Sequence, residues 1–483
     1  MIETSNFPTM QESPAELRKR TRKLNDQTVR KKAKYVLCWL QQNLRAFDNP
    51  IIDAAIATGN NLKLPVVVYH GLGQKYPHAS DRLHKFIVEA ARSLAPAVEK
   101  RGLRCLNYIE RPAKYEKGLV YRLAKDAAAI FTDDVPAYVA RFQAASVASK
   151  VDVAVFAVDA SCVVPMNEFP YQAEANAFFR RAHTPFREQY LNAKTEMSPD
   201  IARYEDDFDF EPDDLAKLDV DKLIAECEID HTLPPVESFS GSREAALQRL
   251  KWACETVLPV YESVRSNPSH PLCGTRLSPY LHFGVLSARE VVWEIQKHAT
   301  AKQKNWRVAD EIMSWREFFH HQARFENDPA AYETLPEWAR ETLEKHQSER
   351  VDAPTLSQII HGETDDETWN AAQKQYLLEA WMPNNIRMYW GKRLVGWRET
   401  PQKAWRTACY LNDRFSLDGR DASTYGNLAW CFGKINHPSS EREIYGKVGR
   451  PWDAAMRKRK GVNEWLAEQA GRETYRVFVP EEV

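Results

Sequence analysis

The sequence predicts a chain of two unlike halves, an α/β N-terminal half of Rossmann-like build (a parallel sheet covered by helices) and an all-α C-terminal half. Three observations predict it. Short apolar runs alternate with amphipathic stretches from Tyr35 to about Pro165; strand signals vanish after about Ser240, where helical periodicity takes over; and between the two lies a segment whose composition shifts to acid and proline.

The 483 residues, 43% hydrophobic and 28% charged, are too many for one ordinary core and enough to bury a large cofactor. No apolar run approaches the roughly 20 residues of a membrane helix, so a soluble globular protein without membrane association is expected. Residues 1–34 lack the apolar core of a signal peptide and read as a polar, basic arm. Its Leu17 to Lys34 stretch suits a nuclear signal, a DNA contact or a disordered solubilising terminus. Eight cysteines stand singly with no Cys-x-x-Cys. That argues for reduced thiols in a cytoplasmic or nuclear compartment and against a metal centre. With a net charge of −1, any affinity for nucleic acid must come from a local patch.

Strands are expected at Tyr35 to Leu40, Leu64 to Tyr69, Leu103 to Tyr108, Ala127 to Thr132 and Val151 to Val158, with helices such as Ala79 to Lys100 and Pro136 to Ser149 between them. Gly71-Leu72-Gly73 follows the second run, but Tyr76 stands where the third glycine of a dinucleotide fingerprint falls, which leaves a nicotinamide site little support. Seven acidic residues crowd Glu205 to Asp214, read as a solvated connector. The C-terminal helices are expected at Arg243 to Val264, Ala309 to Asn327, Asp366 to Glu379, Ile386 to Arg398 and Pro401 to Asn412. The implied division is 1–34 arm, 35–194 α/β domain, 195–240 acidic linker, 241–470 helical domain and 471–483 tail.

Five stretches of the second half carry chemistry-bearing residues. Gly274 to Gly284 holds Thr275, Arg276, Leu277 and Ser278 ahead of a helix signalled by Ser287 to Glu290; it suits either a diphosphate cradle or a capped, proline-containing turn. Glu311 and Trp315, four apart, present a carboxyl and an aromatic face together, as a pocket for a flipped base would, or as an ordinary amphipathic helix would. Trp369, and Trp390 with Trp397 on one stripe after Arg387, suit core packing or a relay of oxidisable rings. The loop Asn412 to Asp421, dense in Asp, Asn and Arg, is costly to bury unpaired, and Arg387 is a natural partner for Asp418. From Lys434 to Lys460 the net charge is +5, interleaved with Tyr445 and Trp452, which suits a phosphate-binding patch or a solvated helix end.

In order and spacing, Trp369-Asn370-Ala371, Arg387-Met388-Tyr389-Trp390, Tyr410 to Arg414 with Leu417 to Asp421, and Ala429-Trp430 resemble the class II cyclobutane pyrimidine dimer photolyases of the photolyase/cryptochrome superfamily. The resemblance spans about Tyr35 to Lys460. It implies an all-α FAD-binding domain in which Thr275, Leu277, Ser278, Arg387, Asn412, Asp418 and Asp421 hold the cofactor. It implies an electron relay of Trp369, Trp390 and Trp397, and a lesion pocket of Glu311, Trp315 and Trp430. Arg442, Lys447 and Arg450 fall in the region that grips DNA. The implied activity is light-driven repair of pyrimidine dimers in damaged DNA by a monomer, with Glu311 in a desolvated pocket. A deazaflavin- or folate-type antenna pigment in the first half is a further implication. The chain departs from the family at Met382-Pro383-Asn384-Asn385 and at Gly433 to Ser440. A cryptochrome-like light sensor and a non-catalytic DNA-binding flavoprotein are the alternatives. The compartment would be the cytoplasm, on the nucleoid, in a prokaryote or the nucleus in a eukaryote.

Overall fold

Residues 14–193, 196–298, 306–350 and 353–483 are described by the computed structural model. Six strands form one sheet: β1 (Thr21–Lys23), β2 (Tyr35–Trp39), β3 (Val66–Leu72), β4 (Arg104–Ile109), β5 (Ala127–Asp133) and β6 (Val155–Val158), in the order β1-β6-β5-β2-β3-β4. All pairings but β1–β6 are parallel; Leu37 of β2 lies opposite Val67 on one side and Ile130 on the other. The central strands β2, β3 and β5 are largely apolar because helices cover both faces of the sheet. Val36 and Cys38 point into one core layer, Tyr35, Leu37 and Trp39 into the other.

The helix Pro50–Leu62 follows β2, with Asn49 capping it through the Ile51 amide at 3.1 Å and Pro50 at its first turn. It is buried along most of its length and so carries no amphipathic signature. Helices Asp81–Lys100 and Tyr138–Ala148 fall where the sequence places them.

The polar arm is in part built into the sheet. Helix Ala15–Arg20 leads into β1, which covers the edge of β6, and the buried Arg20 guanidinium donates to the carbonyls of Cys162 at 2.8 Å and Val163 at 2.7 Å. An open strand edge and orphan carbonyls both favour such a partner, which is why this segment is not a solvated tail. Residues 1–13 of that arm lie outside the described residues.

The acidic connector is likewise packed. Buried Asp213 accepts from the Ile109 amide at 2.8 Å and pairs with Lys114 at 2.9 Å and Arg111 at 3.1 Å. Tyr204 and Phe208 sit edge-on to Tyr35, and Phe210 to Tyr108. The aromatic residues between the acids decide the outcome, since they bury area that a linker would leave wet.

After Ser240 every regular element is helical among the described residues. The expected run from Arg243 to Val264 breaks into Arg243–Trp252, a π turn over Ala253–Val257 and Tyr261–Val264, because Pro259 has no amide to continue the ladder. Helices Glu367–Glu379, Asn384–Trp397, Pro401–Phe415 and Ala422–Cys431 carry the site, and Asp366, Thr400 and Asp421 cap three of them. No helix among the described residues is long and apolar enough to cross a membrane.

The halves are joined by Arg82. From helix Asp81–Lys100 its buried guanidinium donates to Phe415 O at 2.7 Å, to Leu377 O and to Pro234 O at 3.2 Å, so it satisfies terminal carbonyls of two helices in the other half. Beside it, a Cβ on Gly241 would lie 1.8 Å from Phe86 O. Gly241→Ala is therefore expected to lower stability by at least about 1–3 kcal/mol, read as a shift of the urea midpoint.

Candidate functional site

A buried ion pair lies at the centre of the helical half. Arg387 donates to Asp418 Oδ1 at 3.0 Å and Oδ2 at 3.2 Å, and the Ser416 hydroxyl also donates to Asp418. Burial, the largest single influence, would lower the Arg387 pKa, but the charge of Asp418, Tyr376 and the hydrogen bond to Asp418 together outweigh it and the value is raised. The guanidinium sits 5.7 Å from the ring of Tyr376, whose hydroxyl donates to Asn412 Oδ1 at 3.1 Å. Asn412 in turn donates to Asp413 at 3.1 Å. Desolvation pushes Asp413 up to about 6 against the bonds from Tyr425 and Arg420. The loop folds back tightly enough that a Cβ on Gly419 would meet Asn412 O at 2.3 Å.

A second cluster surrounds Asp421, the cap of helix Ala422–Cys431. Its carboxylate takes His320 Nε2 at 3.2 Å, His282 Nδ1 at 3.3 Å and the Ser423 amide at 2.9 Å, with Arg316 at 3.8 Å. Gln42, from the loop after β2, meets His282 Nδ1 at 3.3 Å. Burial would raise Asp421, but the charges of His320 and Arg316 and the histidine bonds hold it well below the usual carboxylate range. Burial lowers His282.

The three tryptophans named for the relay are in ring contact. Trp369, from helix Glu367–Glu379, lies between the two on helix Asn384–Trp397: it stacks on Trp390 at 5.0 Å and 9° and meets Trp397 edge-on at 4.8 Å. Tyr376 touches Trp390 at 5.7 Å, so the ring chain ends against the Arg387–Asp418–Asn412 group. The Trp390 indole donates to Gln373 Oε1 at 2.9 Å.

Trp315 and Trp430 stack at 4.9 Å and 18°, forming one aromatic wall. Their helices cross so closely that a Cβ on Gly426 would be 2.0 Å from Phe319. Glu311 stands one turn before Trp315 in a π-helical stretch, Glu311–Arg316. Its environment differs from the desolvated one expected. The side chain is 32% exposed and faces Tyr261, which donates at 2.8 Å, Arg307 at 3.3 Å and Arg265 at 3.6 Å. The wide π turn opens the helix to these partners. Asn436, in the segment where the chain departs from the family, accepts from the Trp430 indole at 2.8 Å and so fixes that ring.

Arg442, Lys447 and Arg450 are exposed on one loop. The loop is tied down by the Ile444 amide to Glu349 at 2.7 Å and the Lys447 amide to Thr342 at 3.1 Å. Farther on, Arg457 is neutralised by Asp453 at 2.7 Å and Glu367 at 3.1 Å, so the patch is narrower than the count of basic residues suggests. Thr275 is half-buried and Leu277 buried ahead of the five-residue helix Ser278–His282, whose first residue is itself half-buried; the helix capped by Ser287 begins later, at Ala288. Arg276, at a φ of 56°, turns out of this loop to pair with Glu379 at 3.3 Å.

Residues to which sequence reasoning gave no role are Tyr376, His282, His320, Arg316 and Gln373. Tyr376 is seven residues beyond Trp369, and Gln373 four, so helical spacing was available as a signal for both.

The DNA photolyase family model matches residues 36–202. The deoxyribodipyrimidine photo-lyase of Methanothermobacter thermautotrophicus is 27% identical over 457 residues, covering 92% of this chain and 97% of the relative. That of Oryza sativa subsp. japonica is 29% identical, covering 89% and 87%. Among solved structures, a Synechocystis cryptochrome superposes with a TM-score of 0.67 at 16% identity, covering 90% of this chain and 88% of that one. A class III photolyase from Agrobacterium tumefaciens does so at 0.61 and 16%, covering 90% and 86%. These two likenesses establish the fold.

Proposed function

This chain belongs to the photolyase/cryptochrome superfamily, and from that premise we propose that it repairs cyclobutane pyrimidine dimers in DNA with light, using bound FAD. The observation that carries the reading is the contact chain Trp397, Trp369, Trp390 and Tyr376, which ends on the buried Arg387–Asp418 pair and Asn412.

The residues suit a flavin. Arg387 Nε and His320 Nδ1 are buried with no hydrogen-bond partner in the protein, and such atoms call for a polar ligand. Thr275 and Ser278 would hold its phosphates and Arg387, Asp418 and Asn412 its ring system, with Leu277 and Asp421 also lining the cofactor. When bound, FAD supplies the light absorption and the one-electron chemistry.

The protein's part is to hold, orient and shield. Flipping a dimer from the duplex costs a few kcal/mol, and each aromatic face returns roughly 1–3 kcal/mol by stacking. The Trp315–Trp430 wall offers that surface, held flat by Asn436. Glu311, set beside Tyr261, would accept from the ring N–H next to the lesion's carbonyl and so orient the base. Arg442, Lys447 and Arg450 would contact phosphates, which carry affinity more than specificity.

An antenna pigment would find a cavity of about 240 Å³ over the sheet, lined by Trp39, Tyr69, Tyr108 and Glu110.

The test is blue-light illumination of the flavin-bound protein with a dimer-containing oligothymidylate under reducing conditions. Thymine absorbance should recover only with light and flavin, and Glu311→Ala should slow recovery on the order of 10²–10³-fold, as loss of one preorganised group does elsewhere. Bound, photoreducible flavin without recovery would favour a light sensor. Absence of flavin would overturn the reading.

A further inference from the structure

The ring chain does not open directly to solvent. Trp397 is only 9% exposed, and the Arg393 guanidinium lies over its face at 4.6 Å. A fixed cation that stabilises the neutral ring opposes a positive hole on it. The same arginine leads away from the ring: its Nε pairs with Asp366 Oδ2 at 2.6 Å, and that oxygen accepts the Tyr389 hydroxyl at 2.7 Å. The other Asp366 oxygen accepts the Trp369 amide at 2.9 Å. One carboxylate therefore touches the residue of the middle ring, the arginine over the last ring, and a phenol.

Tyr389 directly precedes Trp390 and is itself buried, yet it lines an open cleft of about 470 Å³ together with Asp366, Arg393, Asp453 and Arg457. We propose that Tyr389 is the terminal electron donor of the relay and that Asp366 takes its proton, so that oxidising equivalents leave through this cleft. The proposal rests on the flavin reading above.

A phenol gives up an electron far more readily when its proton departs with it, and an oxidised phenol is acidic enough to protonate a carboxylate that an arginine already pairs. Until then, burial and the hydrogen bond to Asp366 keep the hydroxyl protonated, raising its pKa. The other charged groups lining the cleft are Arg393, Asp365, Glu367, Asp453 and Arg457, and Arg457 is compensated by Asp453 at 2.7 Å and Glu367 at 3.1 Å.

With the light-excited, oxidised flavin as oxidant, one electron leaves Trp390 and is replaced in turn from Trp369, Trp397 and Tyr389. The Tyr389 O–H bond breaks, its proton forms an O–H bond on Asp366 Oδ2, and a neutral tyrosyl radical remains. A reductant of the thiol class in the cleft returns one hydrogen atom to Tyr389, and Asp366 releases its proton to solvent.

The experiment is electron paramagnetic resonance and flash absorption on the flavin-bound protein after a blue pulse. The native chain should give a tyrosyl signal whose rise slows in D2O. In Tyr389→Phe that signal should be lost while a tryptophanyl signal takes its place. Asp366→Asn keeps the helix cap and the hydrogen-bond acceptor but not the base, and should also lose the tyrosyl signal; circular dichroism checks that both variants are folded. Identical radical spectra and decays in the native chain and Tyr389→Phe would overturn the proposal while leaving the flavin reading intact. A chain that retains no flavin would overturn both.

Discussion

Asp418→Asn is expected to lower folding stability by about 3–5 kcal/mol and to strip flavin from the protein during gel filtration. The pair it breaks is buried on both sides, and Asp418 is the carboxylate that compensates Arg387. Asparagine keeps the volume and can still accept from Ser416, so the loss isolates the charge. What remains is an arginine in a dry site whose Nε has no partner to begin with. Removing one member of such a pair leaves the other uncompensated, which is why the cost exceeds that of an ordinary hydrogen bond. Urea midpoints and the flavin absorbance of the eluted protein measure the two effects. A variant that is as stable as the native chain and retains flavin would show that the pair is dispensable.

The second large effect is expected from Asp421→Asn, again about 3–5 kcal/mol at neutral pH, this time with a change in the acid limb of the stability curve. Asp421 holds His320, His282 and Arg316 and caps the helix that carries Trp430. Its folded-state pKa lies well below the usual range. A carboxylate shifted in that direction adds stability that is full above its unfolded value of about 3.9 and is lost as the pH falls through the folded value. The native chain should therefore lose stability below about pH 4 in part through this group. The variant starts lower and should fall less steeply over the same interval. Chemical denaturation at a series of pH values reads both; parallel curves would mean that Asp421 does not govern the acid limb.

Most of the sheet was legible because β2, β3 and β5 coincide with the short, largely apolar runs of the sequence. β1 was not legible: three polar residues become a strand only because β6 leaves an edge to cover. The connector from 195 to 240 was misjudged because charge dominates its composition while Tyr204, Phe208 and Phe210 decide its packing. Within the site, Arg387 and Asp418 were paired from sequence by the cost of burying either alone. Trp369, Trp390 and Trp397 were singled out from sequence, but that the ring linking Trp390 to Trp397 comes from another helix could not be read there, since periodicity relates only residues of one helix. The histidines around Asp421 were invisible because they lie 139 and 101 residues away from it along the chain.

Arg82 has a bearing on how the molecule comes apart. By closing the ends of helices Glu367–Glu379 and Pro401–Phe415 from a different half of the chain, it makes those helices depend on a segment some 300 residues earlier. Neither half then has a complete set of internal bonds by itself. Unfolding should be cooperative across the boundary near residue 240, with one heat-absorption peak rather than two. A fragment beginning at residue 241 should remain molten until the first half is supplied in trans.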